Sequence, residues 1–249
     1  MLCFQRVLER HSLTFLDLLI VICAAPDFSP LIPVNDAKLL NLSQELEAMP
    51  SSLSLMTQEN LQQVLCCSAN QLLKVIHTAM ILRHWTQIGD VETVAQGFQV
   101  PYPIEVVRGV ESATRLLNAL GDIANTIHLK PAQDYSAIER IEVLKQMIEG
   151  GLDEDAITLA RVPGIGASRA KLMKKCGIRD VEGLAKAEIS TLLSIPGIAL
   201  KRAEEYLKNA GILASQIKAC RDQVPTADDG GQNGCINLLG LLMQGRLGS

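Results

Sequence analysis

Aromatic residues are scarce in this sequence and make up 3% of its 249 positions. It contains no phosphate-binding loop of the GxxxxGK[ST] type, and its seven cysteines include no CxxC pair. These absences argue against ATP hydrolysis by these residues, against a zinc framework and against an aromatic platform for stacking bases. The apolar segment 15–25 contains Asp17 and is too short to cross a bilayer, so we expect a buried helix before Pro26 and no membrane partner.

The composition favours an all-α fold. Hydrophobic residues make up 48% of the chain, and long alternating strand patterns do not occur. An odd number of scattered cysteines is typical of a reducing compartment, so we expect a cytoplasmic or nucleoid-associated protein. Apolar periodicity before residue 150 predicts helices at 2–10, 13–24, 36–48, 57–65, 68–83, 89–96, 103–127 and 135–149.

The pattern divides the chain into three parts. We predict a helical bundle over 1–150, a flexible tail over 214–249 and, between them, a small domain over 153–213 whose repeated segments Arg161–Ala170 and Ser194–Ala203 resemble a tandem helix-hairpin-helix. Gly150-Gly151 is the expected hinge, and the acidic residues 153–155 suit the start of a helix.

A short segment occurs twice, 33 residues apart. The first copy contains Pro163-Gly164-Ile165-Gly166 and the second contains Pro196-Gly197-Ile198-Ala199, each between stretches that favour helix. We predict tight turns in which Gly164, Gly166 and Gly197 adopt backbone angles that are costly for other residues. Such turns point backbone N–H groups outward at a helix N-terminus, where an anion can bind.

Basic residues follow both turns and suggest that the anion is a nucleic-acid phosphate. The net charge is −4 overall, but it is +5 over residues 159–208 and −9 over residues 1–158. A basic module beside an acidic region indicates a localised, salt-dependent contact. The predicted contact residues in this domain are Gly164, Ile165, Gly166, Ala167, Arg169, Lys171, Lys174, Lys175, Gly197, Lys201 and Arg202.

The helix predicted at 103–127 has two distinct faces. Val106, Val110, Ala113, Leu117, Leu120, Ala124 and Ile127 form an apolar stripe, and Arg108, Glu111, Ser112, Arg115, Asn118 and Asp122 lie opposite. Because Arg108 and Arg115 are two turns apart, or about 10 Å along the axis, one strand lying on this face could contact both. A solvated polar face remains the simpler alternative.

The order of these features resembles the C-terminal part of ratchet-type superfamily-2 DNA helicases, which include the archaeal repair helicases and the helicase region of polymerase theta. The segments that carry the resemblance are Leu18–Ile22, Ala25–Asp27, Ile88–Asp90, Pro103–Ala113 and Arg161–Ala170.

The resemblance implies a long ratchet helix against single-stranded DNA and a helix-hairpin-helix domain on the exiting strand. It assigns the ratchet arginine to Arg108. At Arg115 the archaeal pattern has a stacking tryptophan, so this sequence departs from it. The implied partners are single-stranded or forked DNA and a helicase ATPase core or another replication or repair protein.

The same residues also fit other interpretations. The turns could simply join helices, and the acidic bundle with the second hairpin could instead form a protein-interaction scaffold that recruits a helicase or polymerase. RNA presents the same phosphates as DNA. A DNA glycosylase with Asp180 as its catalytic aspartate is disfavoured because the expected Gly/Pro-rich loop is missing. No catalytic constellation, metal site or cofactor is predicted.

Overall fold

A computed structural model describes residues 14–35, 38, 65, 67–126 and 135–223, with side chains from 124–126, 135–137 and 220–223 left aside. All regular structure within these ranges is helical, which confirms the predicted fold class. The chain divides into two compact units between Gly151 and Leu152. Gly151 has a φ of 57°, a left-handed conformation that suits glycine at the end of a helix.

The first unit is built from five helices among the described residues. Helix α2 packs against each of the other four, and α4 packs extensively along α5. The Trp85 indole Nε1 on α2 donates to the Ile148 carbonyl oxygen on α5 at 2.8 Å, so a polar bond reinforces the apolar contact. The helices are α1 (Phe15–Cys23), α2 (Ala69–Ile88), α3 (Val91–Gly97), α4 (Pro103–Thr126) and α5 (Tyr135–Gly150).

Helix α1 is the buried segment that the sequence predicted. All nine of its residues are buried, including Asp17, and it contacts α2, α4 and α5. The Asp17 carboxylate accepts hydrogen bonds from both the backbone N–H and the hydroxyl of Thr14, which satisfies it inside the unit. No helix in the described ranges is long and apolar enough to cross a membrane.

Helix α4 has the two faces that were predicted. Val106, Ala113, Leu117 and Leu120 are buried, whereas the opposite side is exposed at Arg108, Glu111, Arg115, Asn118 and Asp122. Ser112 and Val110 are half-buried at the boundary. The side chains of Ala124 and Ile127 lie outside the described residues, as do the helices predicted at 2–10, 36–48 and 57–65, apart from Lys38 and Leu65.

The second unit contains two helical pairs. Helix α8 packs along α10 and also contacts α6, α9 contacts α10, and α7 packs on α6. Asp153 caps α6 by accepting from the Ala156 N–H, as the acidic run predicted. The described helices are α6 (Glu154–Ala160), α7 (Ala167–Lys175), α8 (Val181–Ala185), α9 (Ile189–Leu193) and α10 (Leu200–Gln223).

Helix α10 is longer than the sequence pattern suggested. It continues to Gln223, past the predicted start of the tail at residue 214. Buried Ile217 gives the extra turns an apolar anchor that we had not recognised in a polar stretch. Residues 224–249 of the predicted tail lie outside the described residues.

Candidate nucleic-acid interface

The first hairpin is a tight turn between α6 and α7. The Ile165 N–H donates to the Val162 carbonyl oxygen at 2.9 Å, and Gly164 has a φ of +85°. Proline at the second position of a turn and a positive φ at the third fit a type II β-turn. The Ile165 side chain is only 3% exposed. Ile165 therefore anchors the hairpin, because its N–H and its side chain are both engaged within the domain, and its contact with a phosphate remains a prediction.

Two side chains fix the Gly164 carbonyl. The Tyr206 hydroxyl donates to this oxygen at 3.0 Å, and Nη1 of Arg169 donates to it at 2.7 Å. The peptide between Gly164 and Ile165 is thus held at its oxygen by two donors and at its nitrogen by the turn. This fixes the direction of the amides that follow it. Arg169 was predicted as a phosphate contact, and the structure gives it this second task.

Gly166 does not need to be glycine for conformational reasons, so that part of the prediction was wrong. Its φ of −95° and ψ of 176° are extended values that any residue adopts. A Cβ placed on Gly166 would meet nothing within 4 Å. Because Gly166 has no side chain, there is open space beside its exposed backbone. A ligand can approach the amides through this space.

The N-terminus of α7 has no acceptor of its own. Gly166 is its N-cap and provides no side-chain hydrogen bond, and the first backbone bond of the helix runs from the Ala170 N–H to the Gly166 oxygen. Within the described residues, nothing accepts from the N–H groups of Gly166, Ala167 or Ser168. Several donors and the positive end of the helix dipole therefore remain available to an anion.

Two other helices of this unit, α6 and α8, have side-chain caps of their own. Asp153 accepts from the Ala156 N–H at 2.9 Å, and Asp180 accepts from the Gly183 N–H at 2.6 Å. Asp180 therefore caps α8. At the start of α7 a carboxylate would occupy the place where a phosphate could bind, and glycine stands there instead.

The second hairpin repeats this geometry at the start of α10. Gly197 has a φ of +82°, and the Ile198 N–H donates to the Ile195 oxygen at 3.2 Å. Ala199 holds the position of Gly166, which shows that alanine is accommodated there. The first backbone bond of α10 runs from the Ala203 N–H to the Ala199 oxygen, so the preceding amides have no acceptor among the described residues.

Lys201 and Arg202 are both exposed in the first turn of α10. They lie next to the uncapped amides of the second hairpin, and their contact with phosphate remains a prediction. Cations at this place can contact a phosphate held by the amides, or the phosphates on either side of it.

Lys174 and Lys175 do not flank the first hairpin as predicted. They lie in the last turn of α7, about 10 Å (Lys174) and about 12 Å (Lys175) along the axis from its first residue. Lys174 forms an ion pair with Asp153, the cap of α6, and both side chains are about 30% exposed. Lys174 is therefore a structural residue in this conformation, while Lys175 is exposed and points its charge to solvent.

The acidic group around Lys174 explains its position. Burial raises the pKa of the Asp155 carboxyl, and the neighbouring Asp153 and Asp180 raise it further. Lys174 and Arg179 oppose this rise in pKa. Part of the positive charge that we counted toward phosphate binding thus balances carboxylates of the same domain.

The remaining predicted contacts differ in their exposure. Lys171 is half-buried on α7, one turn beyond the uncapped amides. On α4 in the first unit, Arg108 is exposed and Ser112 is half-buried. Arg115 is exposed, but its Nη2 donates to the Asp27 carbonyl oxygen at 2.8 Å, which ties the helix to the loop after α1.

Several residues of the candidate interface were not predicted from the sequence. Ser168 is exposed beside the free amides, and its place directly after the turn could have identified it. Tyr206 lies 42 residues from Gly164, so no local pattern links them. Leu193 and Leu200 are exposed and stand at either end of the second hairpin, and no role was predicted for either of them.

Comparison with protein families supports the domain assignment. Residues 156–205 match the family described as the SAM-like helix-hairpin-helix tandem. The match begins within α6, ends within α10 and includes both Pro-Gly turns. The second unit thus contains a paired helix-hairpin-helix domain, as predicted.

Similar proteins extend the match beyond that domain. An ATP-dependent DNA helicase Hel308 from Pyrococcus horikoshii is 33% identical over 139 residues, which are 56% of this chain and 19% of the relative. The protein of that name from Pyrococcus abyssi is 30% identical over 55% of this chain and 19% of its own length. The one from Caldivirga maquilingensis is 26% identical over 73% of this chain and 24% of its own length. The predicted resemblance to superfamily-2 DNA helicases is confirmed, and this chain spans 19–24% of the length of these relatives.

Proposed function

We propose that this chain binds DNA through the backbone amides at the starts of α7 and α10, with single-stranded or branched DNA as the preferred form. The observation that carries the proposal is the repeated geometry of the two hairpins. Each has a Pro-Gly turn closed on itself, a following helix without a side-chain cap, and exposed backbone at the helix start. Groups of this kind bind phosphates and do not read bases.

The role that fits this geometry is that of a non-catalytic accessory region of a DNA helicase, or of a stand-alone relative that works beside a separate ATPase. The relatives are named as ATP-dependent DNA helicases, and this chain has no GxxxxGK[ST] segment in its sequence. Under this proposal the chain holds the strand, and the partner ATPase core supplies the movement. The protein then acts where the chromosome lies, in the cytoplasm or nucleoid.

Within the proposal, the main contacts are the amides of Gly166, Ala167 and Ser168 at the first hairpin. The Arg169 side chain contacts the same turn through its bond to the Gly164 oxygen. Its other guanidinium N–H groups can donate to a phosphate. Lys201 and Arg202 serve the second hairpin. On α4, exposed Arg108 is the proposed contact with a strand, and Arg115 contributes charge while it remains bonded to Asp27.

The proposal is tested by placing a carboxylate at the first hairpin. Gly166→Glu adds a side chain into open space, so the fold should remain intact, while its negative charge competes for the amides and repels phosphate. We expect binding of single-stranded and forked DNA to weaken roughly tenfold or more, which corresponds to about 1.4 kcal/mol. Gly166→Ala is the matched control, since it adds the Cβ without the charge.

Salt titration provides a second test. The logarithm of the DNA-binding constant falls linearly with the logarithm of the salt concentration. Replacing Lys201 and Arg202 by glutamine should make this slope less steep, by about 0.7 for each phosphate contact to a single strand that is lost. Circular dichroism should show unchanged helix content in all variants.

Equal binding of DNA by Gly166→Glu and by the parent protein at moderate salt would overturn the proposal.

A further inference from the structure

The two hairpins differ at the helix ends that border them. In the first, the last residue of α6 is Ala160 and the first residue of α7 is Ala167, and both are half-buried. In the second, leucines stand at these two places, with Leu193 44% exposed and Leu200 53% exposed. An alanine-to-leucine difference on both sides of an exposed loop enlarges the apolar surface there.

A third residue extends this surface. Ile189 is 38% exposed, and it lies four residues before Leu193 on α9, so both side chains occupy the same helix face. The corresponding residue of the first copy is Ala156, which is fully buried. We call Ile189, Leu193 and Leu200 the leucine rim of the second hairpin. In the described part of the chain, the first hairpin has no large exposed apolar residue at the matching places.

The charges of the two hairpins also differ. Residues 155–172 carry a net charge of +2, whereas the matching residues 188–205 carry −1. The second hairpin still has Lys201 and Arg202 directly after Leu200, beside the uncapped amides of α10. Electrostatic attraction to phosphates alone is therefore weaker at this hairpin, and a strand held there needs another contact.

We infer that Leu193 and Leu200 bind the apolar faces of unpaired bases, which makes the second hairpin selective for single-stranded over duplex DNA. The inference rests on the proposed function. A strand whose phosphates lie at the start of α10 passes Leu200, the first residue of that helix, and Leu193 lies at the other end of the same hairpin. In a duplex the base faces are stacked and covered, so the rim would meet only sugars and phosphates. An unpaired base exposes an apolar face that leucine side chains can cover.

The test compares three DNA probes with the full chain. These are a single strand, the same strand with abasic sites in place of its bases, and a duplex, each measured by fluorescence anisotropy at one salt concentration. Leu193→Ala with Leu200→Ala should weaken binding of the single strand roughly tenfold, in line with the loss of a base contact. Binding of the abasic strand and of the duplex should change by less than about twofold, because phosphate contacts do not involve the leucines.

Ile212→Ala provides the matched control. Ile212 is 51% exposed on the same helix, α10, but lies about 18 Å along the axis from Leu200. Its replacement should leave the binding of all three probes unchanged. The salt slope should also stay constant in the double leucine variant, whereas loss of a phosphate contact would reduce it.

The outcomes separate this inference from the proposed function. If the leucine variant binds single strands as well as the parent protein while Gly166→Glu does not, the inference is overturned and the proposed function stands. The leucine rim would then serve a different contact, such as an apolar surface of a partner protein. An equal loss on normal and abasic strands would also overturn the inference. If the parent protein binds none of the three probes, both fail.

Discussion

The hydroxyl of Tyr206 donates a hydrogen bond of 3.0 Å to the carbonyl oxygen of Gly164, and this bond joins α10 to the turn of the first hairpin. Tyr206 is 3% exposed, and its ring carbon Cε1 lies 3.1 Å from the place where a Cβ on Gly164 would stand. The helix that follows the second turn thus packs directly beneath the first turn. For this reason, we expect a change in one hairpin to affect the other.

Tyr206→Phe removes this bond and keeps the ring. The Gly164 oxygen retains its bond from Arg169, so the free energy of unfolding should fall by about 0.5–1.5 kcal/mol, the usual net value of one hydrogen bond. Denaturant titration of Tyr206→Phe and of the parent protein measures this difference. The affinity for single-stranded DNA, measured well below the unfolding midpoint, should fall severalfold because the amides of the first hairpin are less firmly oriented. An unchanged affinity would show that the bond stabilises the fold without positioning the hairpin.

Replacing the two glycines of the first hairpin by alanine should affect stability to very different extents. Gly164 has a positive φ and almost touches the Tyr206 ring, so Gly164→Ala should destabilise the protein by about 1–2 kcal/mol from backbone strain alone. Gly166→Ala should change stability by no more than about 0.5 kcal/mol, because its backbone is extended and its surroundings are open. Thermal unfolding of both variants gives the comparison. Similar losses for the two would contradict the geometry described for Gly166.

The sequence was sufficient to predict the elements whose signals are local. Gly164 and Gly197 do adopt a positive φ, Asp153 does cap a helix, and the apolar stripe of α4 is buried at Val106 and Leu117. Each of these follows from the preferences of a few neighbouring residues. Whether the predicted side chains contact DNA remains a prediction.

Long-range pairing could not be predicted from these patterns. A lysine near a glycine turn looks the same in the sequence whether it faces solvent or a carboxylate. Only the packing of α7 on α6 places Lys174 beside Asp153. In the same way, the bond from Arg115 to the Asp27 oxygen spans 88 residues. Charge counts therefore overestimated the number of cations available for phosphate.

Substitutions of Lys174 and of Lys175 should therefore differ in their effect on the free energy of unfolding. Lys174→Glu breaks the ion pair and places a third carboxylate beside Asp153 and Asp155, so it should reduce stability by about 1 kcal/mol, a modest value because the pair is partly exposed. Lys175→Glu should leave stability within about 0.5 kcal/mol of the parent protein. Denaturant titration at low salt provides the measurement. Equal stability of the two variants would mean that the Lys174 ion pair contributes nothing in solution.

His77 on α2 is a buried residue outside the candidate interface. It is 2% exposed, and neither ring nitrogen has a hydrogen-bond partner among the described residues. Its ring meets Phe98 edge to face with centroids 5.9 Å apart, and the Lys38 ammonium lies 5.5 Å from the Phe98 ring centroid. Burial, followed by the charge of Lys38, lowers the pKa of His77 from 6.5 to about 4. The folded protein therefore holds His77 neutral.

The lowered pKa of His77 predicts how stability depends on pH. Between pH 6.5 and 4 the unfolded chain takes up a proton at His77 that the folded chain does not, so the stability present above pH 6.5 should be lost as the pH falls toward 4. The full loss is on the order of 3 kcal/mol, since each pKa unit corresponds to about 1.4 kcal/mol. Replacing His77 by leucine removes this titration, so the difference in unfolding free energy between the two proteins should shift steadily over this pH range. A difference that stays constant from pH 7 to pH 4 would show that His77 titrates alike in both states.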